Sequence, residues 1–272
     1  QVKSELVTGK QIRQKIQGRW TFEHVDFMYP GTDRLVLKDI HLEIEPGESV
    51  ALLGTTGSGK STIAALMARF YDPSAGRILL DGIDLKDWDM EWVRTDLGFV
   101  PQDVFLFSTS IAENIRFGKS DLSQDQLEQA AKYADVYENI MEFPDRFDTV
   151  LGERGVTLSG GQKQRVSLAR ALAKNPGMLV LDDCLSAVDT HTEHKILNHL
   201  KHIMEGKTCV IISHRVSSAK LAKRIFVLHE GRIVEQGTHT SLMKKKGSYY
   251  DLYQQQLNQE KQNLEQVTTQ SN

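Results

Sequence analysis

Gly54-Thr55-Thr56-Gly57-Ser58-Gly59-Lys60-Ser61 fits the pattern G-x-x-x-x-G-K-[ST] at every fixed position. Before it, Val50-Ala51-Leu52-Leu53 is a short apolar run that reads as a buried strand. After it, Ile63, Leu66, Met67 and Phe70 fall at helical spacing. Strand, glycine loop and helix, in that order, are the context in which such a loop cradles phosphates. Gly54, Gly57 and Gly59 carry no Cβ to hold a phosphate chain off the backbone. The loop amides and the positive end of the helix can then converge on the phosphates. Lys60 adds a charge for the outer phosphates, and the Ser61 hydroxyl can ligate Mg²⁺. A flexible Gly/Ser/Thr turn is the plain alternative, but it accounts for neither the spacing nor the context.

The 272 residues suffice for one large or two modest domains. Hydrophobic residues make up 40% and charged residues 25%, an ordinary balance for a folded chain. A net charge of −3 gives no basic field for nucleic acid, which is not expected as a partner. The two cysteines, Cys184 and Cys209, fall inside expected core elements. They suit a reducing compartment, offer no disulfide framework and read as inert. No apolar run reaches transmembrane length, and the first residues do not form a signal peptide. The first residue is Gln, which suggests a piece of a longer chain.

Gln1 to Gln17 is polar and reads as a linker or a frayed end. Apolar positions from Trp20 to Ile44, broken by Pro30-Gly31, predict short strands of an antiparallel β layer. Arg77 to Leu80 reads as a strand before an Asp81-Gly82 turn, and Leu97 to Val100 as another, ended by Pro101. From Gln102 to about Gln162 the character turns helical, as in a subdomain inserted into an α/β core. Gly160 to Lys174 and Thr192 to Ile203 read as helices. Met178 to Leu181 and Thr208 to Ile212 read as buried strands, and Ile225 to Glu235 as a hairpin. The tail from Ser248 starts helical and then runs into Gln, Asn, Thr and Ser, where disorder is expected. Alternating strands and helices predict a mainly parallel sheet covered on both faces. Ligands of such sheets sit at the carboxyl ends of the strands. Gly54, Asp182 and His214 each fall just past the end of a separate strand, which points to a single nucleotide site.

Leu179-Val180-Leu181-Asp182 resembles the Walker B element of P-loop NTPases, whose aspartate would bind Mg²⁺ opposite Ser61. An aspartate ending a buried strand could also cap the next helix. Leu158-Ser159-Gly160-Gly161-Gln162 is, alone, a plausible N-cap with a glycine turn. Beside the glycine loop it is similar, letter for letter, to the signature sequence of the ATP-binding cassette family. Further positions resemble that family at its spacing. Gln102 stands as the Q-loop glutamine, Ser186-Ala187-Val188-Asp189 as the D-loop and His214 as the switch histidine. Tyr29 stands where an aromatic ring stacks on adenine; a core residue beside Val25 and Phe27 is the plain alternative. For His214 the plain alternative is a satisfied polar residue at a strand end. The resemblance runs from about Gly18 to Tyr250. Val25 to Gly31, Phe105 to Ile115 and Gly152-Glu153-Arg154-Gly155 resemble the exporter-type branch, in which a membrane domain precedes the cassette on the same chain.

The resemblance implies a RecA-like P-loop core with a mainly parallel sheet, an antiparallel β layer and an inserted α-helical subdomain. Its implied boundaries are residues 1–17 for a linker, 18–250 for the nucleotide-binding domain and 251–272 for the tail. It implies ATP and Mg²⁺ as ligands. Tyr29, the loop from Gly54 to Ser61 and Thr62 would hold the nucleotide, and Ser61, Gln102 and Asp182 the metal. Asp183, His214 and Gln102 would serve hydrolysis. Ser159, Gly160, Gly161 and Gln162 would meet the γ-phosphate on a second cassette, packed head to tail. Export across a membrane, driven from its cytoplasmic face, is the implied function. A soluble non-transport cassette and a regulatory ATP-binding module are the alternatives. One residue departs from the pattern. Asp183 stands where cassettes that hydrolyse ATP well carry Glu, and its carboxylate is one methylene shorter. The expectation is slow turnover at this chain's own loop and a different chain as its partner, with a homodimer as the counter-reading.

Overall fold

The computed structural model describes residue 6, residues 9–152 and residues 155–270. Glu153 and Arg154 of the exporter-like Gly152–Gly155 stretch lie outside the described residues. So do residues 1–5, 7 and 8 of the expected linker. The strands among the described residues are β1 (Trp20–Met28), β2 (Leu35–Ile44), β3 (Ser49–Gly54), β4 (Ala75–Leu80), β5 (Ile83–Asp84), β6 (Leu97–Val100), β7 (Met178–Asp182), β8 (Thr208–Ser213), β9 (Arg224–His229) and β10 (Arg232–Gly237). They form two sheets. The first is four-stranded, in the order β2-β1-β4-β5, and its pairings are antiparallel. The second is six-stranded, in the order β10-β9-β3-β8-β7-β6, parallel except for the β9–β10 hairpin. This is the mixed α/β architecture that the alternation predicts.

The central strands are apolar throughout because both of their faces are covered. Successive side chains point to opposite faces. On β3, Val50 and Leu52 enter a core shared with the antiparallel sheet, while Ala51 and Leu53 enter a separate core. On β7, Val180 faces that first core, and Leu179 and Leu181 face a third, beneath the helices. In the antiparallel sheet, Phe22 and Val25 are three residues apart, so strict alternation would turn one of them outward. A register shift between them, with His24 at φ 49°, restores both to the core.

The helices are α1 (Lys60–Met67), α2 (Met90–Thr95), α3 (Ile111–Arg116), α4 (Gln124–Tyr133), α5 (Tyr137–Met141), α6 (Gly160–Ala173), α7 (Thr190–Ile203), α8 (Val216–Ala219), α9 (His239–Lys245) and α10 (Ser248–Gln270). α6 packs against α3 and α4 and so belongs to the helical layer. Its beginning at Gly160 was expected; its membership of that layer was not. Residues 102–110 carry no helix. Buried Asn114 supplies their missing backbone partners: its Oδ1 accepts from Phe107 N–H at 2.8 Å, and its amide donates to the Phe107 carbonyl at 3.0 Å. α7 starts at Thr190 because Asp189 caps it, accepting from Thr192 N–H at 3.0 Å. α10 runs to Gln270, well past the point where the composition suggested disorder. The described end of the expected linker is pinned, not frayed. Ile12 N–H donates to the Asp87 carbonyl at 2.8 Å, and Arg13 pairs with Asp89 at 2.6 Å. No helix among the described residues is long and apolar enough to cross a membrane.

Candidate functional site

Strand register builds the site. β3 and β8 pair Leu53 with Ser213, and β8 and β7 pair Ile212 with Asp182. Their carboxyl ends are therefore level, and β6 ends beside β7. Gly54, His214, Asp182, Asp183 and Gln102 emerge along one edge of the sheet. A cleft of about 550 Å³ opens there, lined by Tyr29, Lys60, Ser61, Thr62, Gln102 and His214 among others.

The glycine loop turns from β3 into α1. Helix α1 has Gly59 as its N-cap in the left-handed region, with no side chain accepting from its first amides. Those amides point to the cleft and are suited to an anion. Two of the glycines have a further, purely steric reason. A Cβ on Gly54 would stand 2.3 Å from the Leu228 carbonyl oxygen, and one on Gly59 would stand 2.5 Å from Leu37 Cδ2. Of the three loop glycines, Gly57 alone has open space around it. Lys60 is buried, and its ammonium donates to the carbonyls of Gly54 and Thr55 at 2.9 and 2.8 Å, with Ser58 Oγ at 3.4 Å. Burial pulls its pKa down to about 8 against the opposing pull of Asp182 and Asp183. Thr55 and Thr56 are exposed on the rim.

Ser61 Oγ donates to Asp182 Oδ1 at 3.0 Å. Asp182 thus faces the loop and caps no helix. Burial raises its carboxyl to about 6, and the neighbouring Asp183 adds to the rise. A hydroxyl and a carboxylate oxygen converging on one point are hard donors, few in number, which is how Mg²⁺ is held when phosphates and waters complete its shell. These residues fit that ion. Gln102 is exposed and lines the same cleft. Asp183 is half-buried at φ 45°, with its N–H donating to the Ile212 carbonyl at 2.8 Å. Burial and the Lys60 charge hold the His214 pKa down, while Asp183 and the Gly54 backbone oppose them. The imidazole is therefore neutral at neutral pH.

Tyr29 lies one residue past β1 and half-buried, at the cleft wall. It meets Phe27 and Tyr71 in near-perpendicular ring pairs, at 4.9 and 5.4 Å, and its hydroxyl is 3.0 Å from Thr62 Oγ1. Ser159, Gly160, Gly161 and Gln162 are not part of this cleft. They open α6, where Ser159 Oγ accepts from Gln162 N–H at 3.2 Å and Gln162 Oε1 accepts from Ser159 N–H at 2.9 Å. That is a capping box, so the plain N-cap reading is satisfied within the chain. Ser159 and Gly160 remain exposed. A Cβ on Gly161 would stand 2.8 Å from the Ala187 carbonyl oxygen, so glycine lets α6 approach the Ser186–Asp189 loop.

The ABC transporter family profile matches residues 37–186. The chain belongs to the ABC transporter family. An ATP-dependent lipid A-core flippase of Chromobacterium violaceum is 45% identical over 243 residues, covering 89% of this chain and 42% of the relative. A human mitochondrial potassium channel ATP-binding subunit is 46% identical over 246 residues, covering 90% and 34%. A solved bacterial Atm1-family ABC exporter with ATP bound superposes at a TM-score of 0.87 with 40% identity, covering 92% of this chain and 45% of that one. The chain thus spans less than half the length of these relatives. The match confirms an ABC nucleotide-binding fold with a P-loop core. It spans the glycine loop, Gln102, the signature and Asp182, but neither Tyr29 nor His214, which join the site by geometry alone.

Two features of this ABC transporter domain escaped the sequence reading. Arg34 and Lys38 line the cleft that Lys60 lines and add positive charge for a polyphosphate, and Glu230 lines it too. Their signal is weak, because surface cations on a strand edge are common. Buried Gln164 ties α6 to the Ser186–Asp189 loop. Its amide donates to Ser186 Oγ at 2.8 Å, and its Oε1 accepts from Ala187 N–H at 2.9 Å. A polar residue on the apolar face of α6 was the available clue.

Proposed function

We propose that this domain binds MgATP and couples its binding and hydrolysis to export through a membrane domain. The observation that carries the reading is the Ser61–Asp182 contact beneath an open ring of helix-start amides. Lys60 would turn from the loop carbonyls to the outer phosphates, and Tyr29 would stack on the base. A bound Mg²⁺ would offset the phosphate charge, with Ser61, Asp182 and Gln102 as its protein donors. Asp183 would accept a proton from the attacking water, and neutral His214 would orient on the γ-phosphate. Catalysis of this kind is positioning and charge stabilisation more than covalent chemistry.

Ser159 and the amides of Gly160 and Gly161 lie apart from the cleft, so we assign them to ATP on a second cassette. An apolar groove supports the membrane-domain partner. Phe70, Phe99 and Phe117 line a depression of about 670 Å³ between the sheet and the helical layer. Phe105, beside it, is 67% exposed. Aromatic rings in a groove are suited to receive an apolar helix or loop. We keep the boundaries near residues 18 and 250, with a helical layer after Gln102, as proposals. A location at the cytoplasmic face of a membrane follows from this reading. Equilibrium titration with a fluorescent ATP analogue, with and without Mg²⁺, tests it. Lys60→Ala should abolish tight Mg²⁺-dependent binding. Unchanged affinity would place the nucleotide elsewhere.

A further inference from the structure

Gln256 lies beyond the boundary at Tyr250, on α10, and no motif pointed to it. Its side chain reaches back to the loop between β8 and α8. Gln256 Oε1 accepts from Val216 N–H at 2.8 Å, and Gln256 Nε2 donates to the His214 carbonyl. Only one orientation of the amide serves both, because a backbone N–H can only donate and a carbonyl can only accept. The helix carrying Gln256 is well anchored. Tyr249 is fully buried, and Leu252 and Tyr253 pack on a core that includes Leu53 of β3 and Val216 and Ala219 of α8.

The loop needs such a fixture. His214 lines the nucleotide cleft on one side and, on the other, a second cavity of about 490 Å³ between α7 and α10. His214 and Arg215 have space beside them while Val216 is packed, so hydrogen bonds set the peptide planes between them. Arg215 N–H donates to Ser213 Oγ at 2.9 Å, Ala219 N–H donates to the Arg215 carbonyl at 3.3 Å, and Gln256 holds the remaining carbonyl and N–H. On the far side Arg215 reaches away, to the buried carboxylate of Glu193 and to the Ser186 carbonyl at 3.4 Å. The two peptides that flank Arg215 are those that Gln256 grips.

We propose that Gln256 is a positioning residue for His214, and that α10 is thereby the arm that sets the switch loop. The inference rests on the role given above to His214. Gln256 touches no nucleotide; it acts through the backbone that aims the imidazole. Losing the clamp lets His214 drift within the space beside it. A drift of about 1 Å at a reacting centre can cost on the order of 10²-fold in rate.

The test measures nucleotide affinity, single-turnover hydrolysis and Tm for Gln256→Ala, Gln256→Glu, His214→Ala and the Gln256→Ala/His214→Ala double variant. All are made in the full chain assembled with a partner whose own glycine loop has been disabled, so that turnover, however slow, reports this chain's cleft. Gln256→Glu keeps the acceptor for Val216 but sets a carboxylate oxygen against the His214 carbonyl. Both Gln256 variants should keep native affinity and Tm and lose roughly tenfold in turnover, within the range that misplacement allows. The double variant should be no slower than His214→Ala, because the clamp has no other route to the chemistry. Multiplying losses would make Gln256 an independent structural residue and overturn the proposal. Loss with His214→Ala but none with either Gln256 variant would overturn the clamp alone. Native turnover in His214→Ala would overturn the switch-histidine role itself.

Discussion

Tyr29 concentrates what one residue contributes to this site. It was open to two readings, adenine platform or core residue, and its position satisfies part of each. It packs on Phe27 and Tyr71, yet it lines the cleft and its hydroxyl meets Thr62. Two substitutions separate these contributions. Tyr29→Phe keeps the ring and loses only the contact with Thr62, so nucleotide affinity should change by less than about threefold. Tyr29→Ala removes the platform and should weaken ATP and GTP alike by about 1–3 kcal/mol, because stacking reads a π-face and not a base edge. Titration of both nucleotides checks this. A folded Tyr29→Ala variant with native affinity would return the residue to the core. Cys184 and Cys209 are a simpler case. Burial pushes both thiols up to about 12, in keeping with their reading as inert core residues.

Among the elements, β3, β7 and β8 were legible because a parallel strand covered on both faces leaves an unbroken apolar run. The glycine loop was legible because its chemistry demands fixed residue types at fixed spacing. What escaped was set by distant partners. The 102–110 segment looked helical by its surroundings, but it takes its backbone partners from the Asn114 side chain. The polar residues around Ile12 looked free, but their backbone pairs with Asp87 across the chain. Arg34 and Lys38 become site residues only when the β2 edge meets α1. The start of α6 shows two roles in one element. Ser159 caps the helix, and the same exposed residue is assigned to the partner's phosphate. Ser159→Ala should lose the cap, about 0.5–2 kcal/mol of stability, read as a fall in Tm. Ser159→Asp should keep the cap and hence the Tm, but set a carboxylate toward the phosphate. Binding at this chain's own loop should survive Ser159→Asp, while ATPase of the assembled pair should fall. Normal turnover by the assembled Ser159→Asp variant would remove the signature from the partner's site.

At the scale of the whole molecule, the signature stands outside the cleft that the glycine loop lines. The cleft holds Lys60, Ser61, Gln102 and His214, while Ser159 lies apart from it at the exposed start of α6. In the function proposed above a second cassette supplies that signature, and Asp183 bears on what kind. Its backbone is fixed at the end of β7 by the bond to Ile212, so the backbone cannot advance to make up for a missing methylene. A carboxylate set back by about 1 Å can cost on the order of 10²-fold in rate. Binding does not depend on it, because the glycine loop, Ser61 and Asp182 are intact. The expected result is a site that holds ATP and turns it over slowly, beside a signature able to complete a competent site on a different chain. Retained Gln102 and His214 argue the other way, since they leave the impairment confined to one residue. Asp183→Glu and Asp183→Asn, compared in the full chain with and without a co-expressed partner, separate the two. In a mixed pair, Asp183→Glu should raise turnover, and Asp183→Asn should change it little, because the partner's site carries the flux. Brisk hydrolysis by the wild-type chain alone, abolished by Asp183→Asn, would instead establish a homodimer in which the shorter carboxylate still reaches the water.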